Sequence, residues 1–402
     1  MATKLFTDYT AATSTAATDV ILIHDGSGVK KITRATFLPE FYGKKVIAAT
    51  SRWLRFNPSN KKGLVIKAGT ALVKANGEIA YYATDTAIDL SSQVSTAGAV
   101  YYLYLNDDGT FTASTTEQDT GAKIGRFHTL CHAAGTLTMT APAAPSSGLS
   151  VGDNYLVKSY NSERDSDFYD FYNKEITAVT AQTYYDVITC EHPLSGFSAG
   201  DILPESVFCL TFYADTLYDD AMVYDKDTDR MIDVYLQSGK GHSTRSAYGA
   251  THTVSRQQPN HASDMRMVGK KLLSDAEFTS AAIGSNEATS ISGSSDKTTV
   301  GGHSDTNGRR MISAIGCEEM CGYLWQWLDQ AVDTNQTNGW VADYDGHGSF
   351  GQEYWTRYLP IAGGVWSDGA LCGSRSRGSD HLGSYVNTNV GGRGSSHAIR
   401  CA

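Results

Sequence analysis

Short stretches of alternating apolar and polar residues fill most of the chain, separated by turns rich in glycine and asparagine. VILIH and VKKIT flank DGSG, ALVK and EIAYY flank Asn76-Gly77, and YYLYL and TFTAST flank NDDG. Alternation with period two is typical of β-strands, and glycine supplies the positive φ that a tight hairpin turn requires. The pattern therefore predicts a chain built mainly of β-hairpins.

Differences in composition along the chain predict its domain organisation. Residues 1–47 are too few for an independent core, so we expect this β segment to assemble with copies of itself in an oligomer or to pack on the next domain. Residues 48–145 are predicted to form a β-sandwich, and APAAPSSG at 141–148 is predicted to be a linker. Residues 146–200 form a tyrosine-rich insertion whose fold the pattern does not assign, and residues 201–402 form the C-terminal domain.

One clear helix start interrupts the β pattern in the C-terminal domain. Ser274 and Glu277 have the spacing of a capping box, in which each side chain accepts a hydrogen bond from the other residue's backbone amide. The stretch EFTSAAI follows, and Gly284 offers a stop. The predicted fold class is therefore mainly β with minor α.

Charge and hydropathy exclude several classes of partner. The 402 residues carry a formal net charge of −10, which argues against nucleic acid as the main partner because phosphate binding requires clustered Lys and Arg. The longest apolar runs are too short to span a membrane and MATKLFTDYT has no apolar signal core, so we expect neither membrane insertion nor a signal peptide. A cluster of aspartates is predicted to form a solvated hairpin rim: Asp215, Asp219, Asp220, Asp225, Asp227, Asp229 and Asp233.

Seven irregularly spaced cysteines do not indicate a disulfide framework in a chain of this length. Cys317 and Cys321 lie four residues apart, but no His or Cys pair follows them at zinc-finger spacing. Buried thiols are therefore predicted.

The C-terminal segment is selective in the residue types it uses. From Tyr358 to Ala402 it contains no Lys, Glu, Gln or Met, and its centre reads GGVWSDGALCGSRSRGSDHLGSYVNTNVGGRG. A loop segment rich in glycine and serine accounts for much of this bias, so composition alone leaves the cause open.

Four motifs in order carry a resemblance: GKKLLSDAEFTSAAIGSNEAT, GCEEMCGYLWQWLDQ, AGGVWSDGALCGSRSRGS and GGRG. Together they resemble the C-type-lectin-like fold of the formylglycine-generating-enzyme type and, more closely, the variable proteins of diversity-generating retroelements. Upstream, IKAGTALVKANGEIAYYATDTAIDL, LNDDGTFTAS and IGRFH resemble the β-sandwich of a phage tropism-determining member of that group. The resemblance covers most of the chain except about 146–200.

Framework roles are expected for the large residues of these motifs. One of Trp325 and Trp327 is predicted to fill the core, and Trp366 is predicted to pack beneath the two glycines of GGVW. Family analogy makes Arg375, Arg377 or both structural, and Arg393 in GGRG is expected to act as a hydrogen-bonding fork.

The resemblance implies a set of diversified positions. In such systems template adenines are replaced at random, so an AAC codon becomes NNC, which cannot encode Lys, Glu, Gln, Met or Trp. The implied variable region spans about 358–394, and the implied ligand-binding positions are Val365, Ser367, Asp368, Leu371, Gly378, Asp380, His381, Leu382, Tyr385 and Asn387.

The function implied by the resemblance is receptor binding at the tip of a phage tail fibre. The implied partner is a host cell-surface receptor, protein or glycan, bound by a homotrimer made in the bacterial cytoplasm and carried on the virion. Weak contacts at single sites would then be multiplied through effective concentration.

Three alternatives remain open. Formylglycine-generating relatives are copper enzymes with a thiol pair, but Arg377 stands where the partner of Cys372 is expected, so no enzyme activity is predicted. A fixed calcium-dependent lectin is suggested by Gln258-Pro259-Asn260 and Trp366-Ser367-Asp368, although their order and spacing depart from that pattern. Ca²⁺ could also bind GGHSDTNG or DYDGHGSFG, which match no EF-hand spacing. A structural fibre protein without a receptor role is the third alternative.

Overall fold

A computed structural model of the chain describes the following residues: 20–24, 29–33, 46–48, 52–131, 136–142, 149–159, 170–181, 185–191, 194, 196–209, 213–217, 220–285, 287–292, 312–333, 340–342, 352–354 and 357–399. The predicted fold class is confirmed, since strands predominate and two α-helices occur within these residues. None of the helices in the described ranges is long and apolar enough to cross a membrane.

The hairpins predicted in the first third of the chain are present. The strands are β1 (Val20–His24), β2 (Val29–Thr33), β3 (Val46–Ile47), β4 (Leu54–Phe56), β5 (Gly63–Ile66), β6 (Thr70–Val73), β7 (Ile79–Tyr82), β8 (Thr86–Asp89), β9 (Val100–Leu105), β10 (Phe111–Ser114) and β11 (Ala122–His128). β1 pairs with β2, β6 with β7 and β9 with β10, all antiparallel. Gly77 and Gly109 have φ of 83° and 86°, the left-handed conformation expected for their turns.

The middle of the chain forms a separate four-stranded antiparallel sheet. Its strands are β12 (Thr136–Pro142), β13 (Asn154–Ser159), β14 (Asp170–Ala181) and β15 (Tyr185–Glu191), in the order β12-β15-β14-β13. β12 includes Ala141 and Pro142, so the prediction that the linker begins at residue 141 is wrong. Proline is tolerated there because it is the last residue of an edge strand.

The C-terminal half contains short strands and both helices. Its strands are β16 (Phe208–Cys209), β17 (Tyr213–Ala214), β18 (Met222–Asp225), β19 (Arg230–Asp233), β20 (Gln237–Ser238), β21 (Arg245–Ser246), β22 (Lys271–Leu272), β23 (Trp325–Trp327), β24 (Val332–Asp333), β25 (Trp340–Ala342), β26 (Gln352–Tyr354), β27 (Arg357–Tyr358), β28 (Ile361–Gly363), β29 (Gly373–Gly378), β30 (Val390–Gly391) and β31 (Gly394–Ile399). The helices are α1 (Gln258–Met267) and α2 (Asp275–Ala282), and single 3₁₀ turns lie at Pro204–Ser206, Gly241–Ser243 and Gly369–Leu371.

The predicted capping box of α2 is confirmed. The Glu277 amide donates to the Ser274 hydroxyl, and the Ser274 amide donates to the Glu277 carboxylate at 2.8 Å. Two backbone N–H groups that the helix start leaves without intrahelical partners are thereby satisfied.

Two sheets organise the C-terminal half. One has the order β17-β31-β19-β18, and β22 also pairs with β31. β31 therefore lies between β17 and β19, which come more than 150 positions earlier in the chain. The other has the order β29-β28-β23-β30, in which β23 and β30 are parallel. β16 pairs with β11, and a continuous buried apolar cluster contains both Trp53 from the N-terminal half and Phe278 from α2.

The aspartate cluster is not wholly a solvated rim. Asp220, Asp225 and Asp233 are buried, and Asp220 and Asp233 form ion pairs with the buried Lys270. Burial alone would lower the pKa of Lys270, but the two carboxylates raise it above its ordinary value. For these three aspartates the prediction was wrong. Asp225 and Asp233 lie on the paired strands β18 and β19, and the buried Lys270 provides a partner for Asp220 and Asp233 inside the protein.

The prediction of buried thiols is confirmed for Cys317 and Cys321, which are almost completely inaccessible. Burial raises the pKa of Cys317 to about 12, so its thiol stays protonated at neutral pH.

Candidate ligand-binding site

The segment containing the predicted variable positions is held by a glycine pair at the end of β28. Gly363 and Gly364 have φ of 95° and 85°, and a Cβ on Gly363 would lie 2.6 Å from the Met320 carbonyl oxygen. Only glycine allows this conformation with so close a backbone approach. Trp366 is partly buried and packs against a cluster that includes Tyr323 and Leu324.

A compact turn follows the glycine pair. The Val365 amide donates to Asp368 Oδ2 at 3.0 Å, and the Leu371 amide donates to the Asp368 carbonyl at 3.0 Å. This turn buries Val365, which is 2% exposed, and projects Leu371, which is 75% exposed. Val365 is therefore not a surface position, because its strand-like bridge with Tyr323 directs it into the protein.

Arg377 fixes strand β29 to helix α2. Its Nε donates to Asp275, and its other nitrogens donate to the Thr279 hydroxyl and to the carbonyls of Ser374 and Ser376, each at 2.9 Å. The guanidinium carbon also lies 4.9 Å from the Phe278 ring centroid. Arg377 has the structural role expected for this pair of arginines, whereas Arg375 is exposed.

Glu287, which the sequence patterns did not single out, holds the start of β29. Both of its carboxylate oxygens accept the Ser374 amide at 3.0 Å, and a Cβ on Gly373 would overlap the carboxylate at 2.0 Å. Burial raises the pKa of Glu287 to about 7, against the opposing effects of the Ser374 hydrogen bonds and of Arg375 and Arg377. No motif predicts this residue, because its role depends on an approach between segments more than 80 positions apart.

A stack of aromatic rings follows β29. The rings of His381 and Tyr385 are parallel, with centroids 4.0 Å apart, and both meet the edge of Trp327 at about 6.5 Å. Trp327 is 1% exposed and is the tryptophan that fills the core, as predicted for one of the pair. Asn387 Nδ2 donates to the Tyr385 hydroxyl at 2.8 Å.

An open depression of about 460 Å³ lies at this surface. Its lining residues are Trp325, Ile361, Asp368, Leu371, Ser376, Arg377, Gly378, Asp380 and His381. Five of the ten predicted positions therefore share one surface feature, and Tyr385 adjoins it through its stack on His381. Such a depression offers aromatic, aliphatic and acidic groups together, which suits recognition of an amphipathic ligand.

The remaining predicted positions do not line this depression. Ser367 is exposed on the Asp368 turn, and Leu382 is partly buried, with its carbonyl accepting the Tyr385 amide at 2.9 Å. Asn387 also has a structural role, because its carbonyl accepts the Ser255 amide at 2.9 Å. Trp325, the second tryptophan of its motif, also lines the depression, and the sequence patterns missed Ser376 as a lining residue. They also missed Val386, which is 51% exposed.

The residues considered for other functions lie in different settings. Gln258-Pro259-Asn260 form the first turn of α1, not a loop, and Asp368 Oδ2 is engaged by the Val365 amide. In the described ranges, no group of three or more His, Cys, Asp or Glu side chains is arranged to hold a metal ion. The loops considered for calcium, at 301–308 and 343–351, lie outside those ranges, as does Cys401.

Cys372 does not have the environment of a reactive thiol. Burial, with the nearby carboxylates of Asp368 and Glu287, raises its pKa to about 12. Arg377 occupies the position where a second thiol would be expected, and it is hydrogen-bonded to Asp275 and Thr279 of α2.

The fold and the site together define a mainly β protein with a C-type-lectin-like C-terminal half that carries an open depression on its surface. The chain is homologous to the tail fiber receptor-binding protein of Bordetella phage BPP-1, with 26% identity over 371 residues, which cover 89% of this chain and 85% of that protein. Its fold matches the solved structures of the Major Tropism Determinant M1 and I1 variants. The TM-scores are 0.65 and 0.64, identity is 21% for both, and coverage is 98% and 97% of this chain and 97% of each structure. No protein-family model matches the chain. The resemblance that the sequence motifs indicate is thus confirmed.

Proposed function

We propose that the chain is a phage tail-fibre protein that binds a host cell-surface receptor through the surface formed by residues 367–387. The observation that carries this proposal is the convergence of Asp368, Leu371, Gly378, Asp380 and His381 on one open depression. Homology over most of the chain to a tail fibre receptor-binding protein supports the same function and a location on the virion tail.

The division between buried and exposed residues supports the proposal, because the residues that stabilise the fold are not the ones that would contact a receptor. Arg377, Gly363 and Trp327 are held by contacts inside the protein, whereas Leu371 and Asp380 project outward with few contacts. Exposed positions of this kind tolerate substitution with small changes in stability. A surface that is free to vary on a fixed scaffold is what a changing receptor contact requires.

Diversification by a retroelement is part of this proposal. The proposed variable positions are Ser367, Asp368, Leu371, Gly378, Asp380, His381, Leu382, Tyr385 and Asn387, all of which NNC codons encode. Val365 is also encoded by NNC but contributes no contact, because it is buried. Deep sequencing of codons 358–402 across sibling particles tests this. Substitutions confined to these codons support diversification, and invariant codons beside drifting synonymous sites elsewhere contradict it.

We also propose that the protein forms a homotrimer at the fibre tip, assembled through residues 1–47. Three linked sites raise effective concentration, so modest affinity per site retains a particle on a cell. Light scattering of the full chain and of a chain lacking residues 1–47 tests the stoichiometry. A monomeric full chain would contradict this assembly.

Receptor contact is tested with particles that carry the triple change Asp380→Ser, His381→Ser and Tyr385→Ser. We expect adsorption to the permissive host to fall strongly, whereas the purified protein should remain folded with a melting temperature lowered by the loss of the ring contacts with Trp327. The matched control changes three exposed residues in the loops on either side of β10 to Ser: Asp107, Asp108 and Asp119. Unchanged adsorption by the triple variant would contradict the proposed contact surface.

We also propose that the protein has no enzyme activity of the copper-oxidase type. The protonated, buried Cys372 and the framework role of Arg377 support this, because Cu(I) requires a pair of accessible soft ligands. Incubating the protein with Cu(I) and titrating its accessible thiols tests it, and stoichiometric binding at Cys372 would contradict it.

A further inference from the structure

We propose that the depression binds a basic side chain, Lys or Arg, of a protein receptor. This inference rests on the proposed function and narrows it from a cell-surface receptor of unstated chemistry to a protein that presents a cation on an aliphatic stem.

The first support is the pair of carboxylates in the lining. The Asp380 side chain is 80% exposed, and its only ion-pair partner within the described residues is His381, at 3.6 Å. Asp368 uses Oδ2 to accept the Val365 amide, so its charge is held in place at the rim by a backbone contact. One of these negative charges is held in place and the other is exposed, and together at one opening they attract a cation.

The second support is that Arg377 does not offset this charge. Although it lines the depression, its guanidinium is paired with Asp275 and donates to Thr279 and to two carbonyls. Arg375, the next nearest cation on β29, is exposed but is not part of the lining. The charge that the depression presents to a ligand is therefore negative.

The third support is the apolar part of the lining. Leu371 is 75% exposed and Trp325 is partly exposed beside the buried Ile361. Lys and Arg carry three or four methylene groups behind their charged ends, and these stems pack on apolar surfaces while the charge reaches a polar rim. An indole at the same site adds attraction for a cation near its face.

The same features disfavour other ligands. Anionic sugars and phosphates would meet Asp368 and Asp380 with like charge, which costs free energy at an interface. A volume of about 460 Å³ accommodates one long side chain with part of its backbone, and the open shape suits a residue projecting from a folded protein.

The test uses the full chain and two defined probes, a random peptide microarray and a neutral glycan array. The test variant carries Asp368→Asn and Asp380→Asn, since the amide oxygen of an asparagine at position 368 still accepts the Val365 amide. The matched control carries Asp107→Asn and Asp119→Asn, which remove the same charge from exposed positions in the loops on either side of β10. Equal melting temperatures establish that all three proteins are folded.

We expect wild type and control to enrich peptides containing Lys or Arg, and the test variant to lose about tenfold in affinity for them. Raising the salt concentration from about 0.05 M to about 0.5 M should weaken binding of these peptides to the wild type. Absence of basic enrichment, enrichment unchanged by the test variant, or selective capture of neutral glycans would each overturn the inference.

Measuring adsorption of particles to the host distinguishes a failure of the inference about a basic side chain from a failure of the proposed function. If particles with Asp368→Asn and Asp380→Asn adsorb normally while particles with Leu371→Ser and Tyr385→Ser do not, receptor binding stands and the cation inference fails. If neither pair of changes affects adsorption, both fail.

Discussion

His381 and Tyr385 stack face to face, with ring centroids 4.0 Å apart and an angle of 1° between their planes. The Leu359 amide donates to the His381 carbonyl at 2.9 Å, and Asn387 donates to the Tyr385 hydroxyl at 2.8 Å. Both rings of a proposed contact surface are therefore oriented before any ligand arrives, which reduces the entropy that binding must offset.

We expect a measurable coupling free energy between these two rings. A double-mutant cycle of His381→Ala and Tyr385→Ala, followed by urea unfolding, should give a coupling of about 1 kcal/mol, the range for aromatic pairs. Tyr385→Phe is the control, since it keeps the stack and loses only the hydrogen bond from Asn387. Additive effects of the two alanine changes would show that the stack contributes nothing to stability.

Replacing Arg393 by Met should destabilise the protein strongly. Arg393 is fully buried, and it donates to Gln326 Oε1 at 3.0 Å and to the Asp233 and Val234 carbonyls at 2.8 and 2.6 Å. The change leaves these buried acceptors unsatisfied, so we expect a loss of about 3 to 5 kcal/mol in the free energy of unfolding. Arg375→Met, at an exposed position of β29, should cost less than about 0.5 kcal/mol. Similar losses for both variants would contradict the framework role of Arg393.

Two adjacent lysines provide a matched pair for testing buried charge. Lys270 is fully buried and lies 2.6 Å from Asp233 Oδ1, whereas Lys271 is 35% exposed and pairs with Glu277. Lys270→Met leaves two buried carboxylates without their cation and should cost about 3 to 5 kcal/mol at about pH 8. The loss should shrink as the pH is lowered, because burial raises the pKa of Asp233 to about 6 and its protonation removes a buried charge. Lys271→Met should cost about 1 kcal/mol or less, and calorimetry of both variants between about pH 5 and pH 8 checks the difference.

Glu287 should make stability fall as the pH rises. Its pKa is raised from an ordinary value of 4.5 to about 7 in the folded chain, so the folded chain holds the proton more tightly than the unfolded chain. The free energy of unfolding should therefore decrease between about pH 4.5 and pH 7, by an amount of about 1 to 3 kcal/mol. Glu287→Gln keeps an acceptor for the Ser374 amide and should flatten this dependence, while the exposed Glu117→Gln should not. A Glu287→Gln variant with the wild-type pH profile would show that the carboxylate ionises freely.

Local patterns were sufficient for the hairpins and for the start of α2. A turn such as Asn76-Gly77 or a capping box such as Ser274-Glu277 acts within a few residues, so its physical cause is present in the sequence itself. The apolar motif around Trp327 likewise indicated a core residue, although not which of two tryptophans would be buried. The order of the C-terminal motifs was enough to predict the C-type-lectin-like fold through resemblance.

Contacts between distant segments decided the rest. The burial of Val365, the inward turn of Asp233, and the approach of Glu287 to Ser374 each depend on strands or loops tens to hundreds of positions apart. The local sequence pattern around an Asp does not distinguish an exposed Asp from a buried one, because burial depends on which distant segments pack against the residue. The sequence thus determined the hairpins, the start of α2 and the candidate positions, whereas the tertiary structure decided which of those positions face solvent and which share one depression.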